Sequence, residues 1–358
     1  ELELQIIATG AHLSPEFGLT YKVIEEDGFK IDEKVEMLLS SDTAVGITKS
    51  LGLATIGFAD AYDRLKPDIV VLLGDRYEIL AAAQVALIIG LPIAHIAGGD
   101  TTEGALDEAI RHSISKMAHI HFVTNELSAR RVRQLGENPQ YIFNVGSPGI
   151  DYIKRVQLLN RSDLEKELEF KFQHKNLLVT FHPVTLDSVS STEQLAELLT
   201  AIDSLENGVG VIFTKANADT QGRSINQMID DYVALHPETK AYTSLGQIRY
   251  LSVISQVDVV VGNSSSGLYE VPSFGKPTVN IGDRQKGRLQ AASVVNCQSQ
   301  ALAIKQAISS AFNMDCSNVQ NPYGDGNSSI RMLSVLKNIP DYRALFKKQF
   351  FMMENCHE

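Results

Sequence analysis

Cysteine is scarce in this 358-residue chain: Cys297, Cys316 and Cys356 are far apart and odd in number. Such usage fits a reducing compartment, so we expect a cytoplasmic protein with no disulfide framework. No two of them have zinc-ligand spacing, and no metal site is expected. Basic residues are outnumbered by acidic ones, 32 against 43, which leaves a formal net charge of −11. That argues against general nucleic-acid binding, which needs a basic surface. An anionic small ligand is still allowed, because a local ring of donors outweighs a distant, screened field. Long apolar runs are missing as well. Val85-Ala86-Leu87-Ile88-Ile89 is among the longest, far too short for a bilayer, so no membrane partner is expected. No basic-plus-apolar leader stands at Glu1, from which we expect no secretory signal. Low-complexity tracts and short repeats are absent too.

What is present is an ordinary globular composition, 44% hydrophobic and 21% charged, in a chain long enough for two domains. Short apolar runs alternate with amphipathic stretches, the pattern of βαβ units on a parallel sheet. In the first half, strands are expected at 4–8, 69–73, 93–96, 120–123 and 141–144, with helices at 43–65, 77–89, 106–117 and 126–135. A turn with Pro148 and Gly149 closes this series, and a polar helix near 162–169 follows. The second series has strands at 177–181, 209–213, 241–243, 257–261 and 278–281. Its helices fall at 192–205, 219–235, 248–255, 267–273, 302–312 and 328–336, with a last helix at 342–353. We therefore expect an α/β protein with two doubly wound Rossmann-like domains facing a cleft, spanning 1–155 and 156–338. The helix within 339–358 would pack back on either half. A doubly wound domain ordinarily opens with a strand and a glycine turn, so a further β-α unit is expected before Glu1.

The residues able to carry chemistry cluster just after expected strands, where open α/β sheets bind ligands. Gly262-Asn263-Ser264-Ser265-Ser266-Gly267 lets a backbone approach closely and offers N–H groups and hydroxyls, as a diphosphate cradle would. It can equally be a serine N-cap after a tight turn. Glu270 has two acceptor oxygens that suit the hydroxyls of a ribose, or is merely an acid near a helix start. Gly74-Asp75-Arg76 sets an acid and a base at a strand end; they work together or only pair. His95-Ile96-Ala97-Gly98-Gly99-Asp100 ends the next strand. Asp107 and Arg111 then share one helix face, four residues apart. Asp100 and Asp107 are both acid-base candidates, although a surface ion pair would look the same. Phe181-His182-Pro183 ends another strand, with a histidine able to donate to phosphate or serve only structure. Lys215, Asn217 and Asp219 follow the next strand, and Arg284 lies in the basic loop Gly282-Asp283-Arg284-Gln285-Lys286-Gly287-Arg288.

Together these segments resemble the UDP-N-acetylglucosamine 2-epimerase family, specifically its hydrolysing branch, over nearly the whole chain. Further carriers are Thr9-Gly10-Ala11-His12, Glu16-Phe17-Gly18 and Asn321-Pro322-Tyr323-Gly324-Asp325-Gly326-Asn327. The resemblance implies a GT-B-like fold and a UDP-sugar ligand. It implies that Ser264 and Ser265 contact the diphosphate, Glu270 holds the ribose, His182 and Arg284 lie near the phosphates, and Asn217 is on the nucleotide side. Asp75, Arg76, Asp107 and His12 would be on the sugar side, with Asp107 a catalytic carboxylate, and Arg111 would bind substrate. Relatives often carry glutamate where Ala97 stands, so Asp100 substitutes or the chemistry rests on Asp75 and Asp107. The expected reaction expels UDP from UDP-N-acetylglucosamine, removes the C2 proton to give 2-acetamidoglucal, and adds water to yield N-acetylmannosamine. Such sugars feed bacterial nonulosonic acids. No cofactor is needed, because no hydride leaves. A homodimer or homotetramer is expected by resemblance. Rival readings are a 2-epimerase for a UDP-2,4-diacetamido-trideoxyhexose, a non-hydrolysing epimerase, a glycosyltransferase of the same architecture, or a nucleotide-sugar binding module without catalysis.

Overall fold

A computed structural model describes residues 2–39, 43–101, 106–183, 189–206, 208–216 and 222–352, the side chains of 222 and 223 excepted. The chain divides into two units, residues 1–147 with 327–358, and residues 148–326.

In the first unit β1 (Ile7–Thr9) pairs in parallel with β2 (Glu33–Val35). A separate parallel sheet runs in the order β3 (Val70–Leu73), β4 (Ile93–Ile96), β5 (Ile120–Val123) and β6 (Ile142–Asn144). Helix Ala44–Leu65 starts where the Thr43 hydroxyl accepts from Gly46 N–H, which satisfies one orphan donor of the first turn. Helix Tyr77–Ile89 stops at Gly90, whose φ of 86° is open to glycine at no steric cost. Ala54, Phe58, Ala81, Val85, Val70 and Leu72 bury one face of this unit. Met332 and Leu345 bury another against Ala94, Ile120 and Phe122.

The second unit holds six parallel strands: β7 (Lys175–Thr180), β8 (Val209–Thr214), β9 (Thr239–Tyr242), β10 (Val259–Gly262), β11 (Thr278–Ile281) and β12 (Val294–Cys297). Their spatial order is β12-β11-β10-β7-β8-β9. The chain moves outward from β7 in one direction, returns, and moves outward in the other. The switch point therefore lies between β7 and β10, where doubly wound sheets open a crevice at the strand ends. Period two sorts the side chains. Leu177 and Val179 enter one core with Leu195 and Ile304, while Leu178 enters another with Ile254 and Leu164. Burial on both faces explains why these strands read as continuous apolar runs.

Several elements differ from the sequence-based expectation. The strand expected at 4–8 is only Ile7–Thr9. β2 and β12 are not among the expected strands; β12 runs parallel to β11, with Asn280 opposite Asn296. The helix expected at 267–273 is one turn, Ser266–Tyr269, followed by a 3-10 turn, Val271–Phe274, because Pro272 has no N–H to continue an α-helix. The helix expected at 342–353 is a single 3-10 turn, Arg343–Phe346; beyond it the chain is pinned by Lys348 to the carbonyls of Lys116 and Ala118. The stretch 146–151, read as ending the first half, leads into helix Pro148–Arg155, whose Ile150 and Ile153 pack with Leu164 in the second unit. Among the described residues no helix is long and apolar enough to cross a membrane.

Candidate active site

In the second unit the candidate residues converge on Asn263, which is 1% exposed. Its side-chain oxygen accepts the His182 N–H at 2.7 Å and its amide donates to the His182 carbonyl at 2.8 Å. This two-way bond latches the end of β7 to the end of β10. Its own carbonyl accepts from Arg284 Nη1 at 3.1 Å and Gln285 Nε2 at 2.8 Å, which draws the basic loop to the same place. Gly262, with φ 140°, permits the approach: a Cβ there would lie 1.9 Å from the Thr180 carbonyl oxygen. The structure thus brings His182, Ser264, Ser265 and Arg284 together at the switch point.

The turn itself is equipped for an anion. Ser264 and Ser265 have backbone N–H groups with no acceptor among the described residues, while Ser266 N–H is taken by Ser264 Oγ at 3.3 Å. Beside them opens a cavity of about 380 Å³ lined by Thr180, Thr214, Gln247, Tyr250, Ser264, Ser265 and Glu270. Tyr250 donates its hydroxyl to Ser266 Oγ at 2.7 Å. Glu270 Oε2 is buried with no hydrogen-bond partner among the described residues. Burial pushes the Glu270 carboxyl above its ordinary range, against a hydrogen bond from Ser266. An orphaned acceptor of this kind is costly unless a ligand completes it. The 321–327 segment braces this wall: Asn321 donates to the Tyr269 carbonyl, and the Tyr323 ring stacks on Tyr269 at 3.7 Å. Asn217 lies outside the described residues, and Lys215 pairs with Asp230 at 2.7 Å. A larger hollow of about 620 Å³ skirts β12, but its polar lining is chiefly carboxamide.

In the first unit Arg111 is the organiser. It is 8% exposed, forms an ion pair with Asp75, and donates to the Asp100 carbonyl at 2.7 Å. Its helix, Leu106–Met117, carries Asp107 in the first turn, half-buried and without a hydrogen-bond or ion-pair partner among the described residues. The Asp75 turn is braced by buried His95, whose Nε2 meets the Gly74 carbonyl at 2.8 Å and whose Nδ1 meets Ser115 Oγ at 3.1 Å. Burial pushes His95 down to about 4, so near neutrality it is an uncharged spacer for the Asp75 turn. Asp100, expected as an acid-base group, turns Oδ1 to the hydroxyls of Thr124 at 2.7 Å and Ser128 at 2.5 Å. Those bonds tie it to the start of helix Glu126–Gln134. Arg76 is exposed and leans toward Glu78 at 3.5 Å. His12, also exposed, meets Thr20 Oγ1 at 2.8 Å. Sequence reasoning missed Glu78, a 7% exposed carboxylate against Gly10 whose Oε2 has no hydrogen bond among the described residues. Its adjacency to Asp75-Arg76 was the only available signal.

A sequence model for "UDP-N-acetylglucosamine 2-epimerase" matches residues 1–337. The chain belongs to that family. It is 48% identical over 299 residues to "GDP/UDP-N,N'-diacetylbacillosamine 2-epimerase (hydrolyzing)" of Campylobacter jejuni, covering 83% of this chain and 77% of that one. To "UDP-N,N'-diacetylbacillosamine 2-epimerase (hydrolyzing)" of Legionella pneumophila it is 33% identical over 348 residues, covering 97% and 91%. These place the epimerase in the hydrolysing branch. A crystal structure of a putative UDP-N-acetylglucosamine 2-epimerase from Listeria monocytogenes shares the fold, with a TM-score of 0.76 at 16% identity over 94% of this chain and 96% of that one.

Proposed function

We propose that this epimerase acts on a UDP-linked 2,4-diacetamido-2,4,6-trideoxyhexose, releasing UDP and the free 2-epimeric sugar. The observation that carries the nucleotide half is the pair of amides at Ser264 and Ser265 that, like the buried oxygen of Glu270 beside them, have no partner among the described residues. The diphosphate takes the amides, with Arg284 and His182 adding positive charge. The ribose hydroxyls take Glu270. For the sugar, support comes from the 48% and 33% identical relatives, whose names specify diacetylbacillosamine. That choice displaces UDP-N-acetylglucosamine, the substrate first expected from the sequence.

The C2–H of such a sugar becomes acidic only as the C1–O bond to UDP breaks. Donors aimed at the departing diphosphate stabilise that developing charge. Asp107 takes the C2 proton, the electron pair forms the C1–C2 double bond, and UDP leaves with its bonding electrons. Water then adds its oxygen to C1, and a proton returns to C2 on the opposite face. Asp75, held by Arg111, is the second carboxylate; Arg76 and His12 contact the sugar, and Asp100 is left to structure.

The test incubates enzyme with the UDP-diacetamido sugar or UDP-N-acetylglucosamine, without acceptor, in D₂O. Product NMR should show free 2-epimer from the former, deuterated at C2. Preference for UDP-N-acetylglucosamine overturns the substrate. A UDP-linked product points to a non-hydrolysing epimerase, and UDP release only with an acceptor to a glycosyltransferase.

A further inference from the structure

The segment beyond residue 339 belongs to the first unit, and its attachment is built from buried charge. Glu137 is only 2% exposed. Its carboxylate takes Lys116 Nζ at 2.7 Å, His121 Nε2 at 3.1 Å and Lys348 Nζ at 2.6 Å. A carboxylate is costly to bury unless several donors complete it. Burial would raise its pKa, yet these hydrogen bonds hold it down at about 2. The neighbouring backbone is shaped to receive the same segment. Gly136 has φ 78°, and a Cβ there would come within 2.3 Å of the Phe350 ring. Phe351 N–H closes on the Gly136 carbonyl at 2.8 Å, and Phe346 stacks on His119 at 5.2 Å.

Lys348 does more than balance Glu137. Its ammonium also donates to the carbonyls of Lys116 and Ala118, at 2.6 and 2.7 Å. These carbonyls sit at the C-terminal end of helix Leu106–Met117, among those that lack intrahelical donors. A cation there also meets the negative end of the helix dipole. Twelve residues make a rod about 18 Å long, so fixing one end sets the direction of the other. That other end carries Asp107, and one turn on Arg111, which grips Asp75.

We propose that Lys348 and Glu137 are positioning residues for turnover: the C-terminal segment caps the helix that presents Asp107 and thereby holds the base in register. The assignment rests on the reading of Asp107 as the C2 base. Burial, seconded by Lys116, pulls the Lys348 ammonium below its ordinary pKa, against the opposing pull of Glu137. Facing it are Glu137, Lys116, His121 and His119, and both histidines are themselves shifted down, so neither answers on the alkaline side.

The experiment uses the full chain with Lys348→Met, Lys348→Arg and the double variant Glu137→Gln/Lys348→Met, which leaves no unpaired buried charge. Lys348→Met and the double variant should lose ~10–10²-fold in kcat, the scale of a slightly misplaced catalytic group. KM and UDP affinity should stay unchanged, while amide exchange across residues 106–117 rises. Lys348→Arg should recover kcat and shift its alkaline limb upward, because guanidinium keeps its proton. Wild-type kcat in a folded Lys348→Met or double variant overturns the proposal, as does parallel loss of UDP affinity. If the wild type releases no UDP from any UDP-sugar, the functional reading has failed and amide exchange decides alone. Unchanged protection of residues 106–117 then removes the clamp, and lost protection sustains it.

Discussion

Asp75 and Asp107 are carboxylates of the same unit in different company. Asp75 is gripped by the Arg111 guanidinium, whereas Asp107 has no partner among the described residues. A base must be free to take a proton, and so Asp107→Asn should lower kcat by ~10²–10⁴-fold, the usual share of general acid-base catalysis. UDP affinity measured by calorimetry should be unchanged, and a fully active variant would remove Asp107 from the reaction. Glu270 poses the opposite problem. Its folded pKa is raised by burial, so ionised Glu270 lowers the stability of the ligand-free protein as pH rises through that value. Glu270→Gln should therefore raise the melting temperature at pH 7 while weakening UDP binding roughly tenfold, the worth of a charge-assisted bond. A variant that melts lower and binds UDP as before would count against both statements. From sequence, Glu270 was a carboxylate beside a serine turn; its orphaned oxygen is visible only once Tyr250 and the end of β7 close around it.

Strand ends are the working elements. β7 and β10 finish side by side, and Asn263 joins them through both its amide atoms. Replacing it with alanine removes two hydrogen bonds and leaves the His182 N–H and carbonyl to find partners elsewhere. Asn263→Ala should cost about 3 kcal/mol in denaturant-derived stability, and it should weaken UDP binding by loosening the turn whose backbone carbonyl holds Arg284. Little change in either would mean that the latch does not hold the turn. In the sequence Asn263 was simply part of a small-residue run. Its partner stands 81 residues earlier, and no local pattern could pair them. Apolar strands and the longer helices were legible because their causes are local: the helical runs at 43–65 and 77–89 differ in little from Ala44–Leu65 and Tyr77–Ile89. The short strands β2 and β12 were not, since each is held by its neighbour. Residues 347–352, within the segment expected as a helix, are not helical, and Lys348, Phe350 and Phe351 are bound there by distant groups.

For the whole molecule, the buried histidines and Glu137 set the response to acid. His95 titrates at 6.5 unfolded but is pushed down to about 4 when folded. The folded state refuses a proton that the unfolded chain accepts. Its contribution is complete above 6.5 and is lost as pH falls toward 4. Glu137, held at about 2 against an ordinary 4.5, contributes fully above 4.5 and loses that contribution as pH falls toward 2. Denaturant midpoints should thus decline from pH 7 downward in two overlapping stages, and a flat profile between 7 and 4 would contradict the burial of His95. By itself the sequence determined the α/β class, the alternation of strands and helices, and the strand-end motifs that resemble the epimerase family, because periodicity and turn chemistry act within a few residues. Only the tertiary structure decided that Asp100 binds the hydroxyls of Thr124 and Ser128 at the start of a helix, that Asn263 joins two strand ends, and that Lys348 caps the helix of Asp107. Each of these depends on groups remote in sequence meeting at hydrogen-bond distance, and the satisfaction of buried polar atoms is settled only when the chain has closed around them.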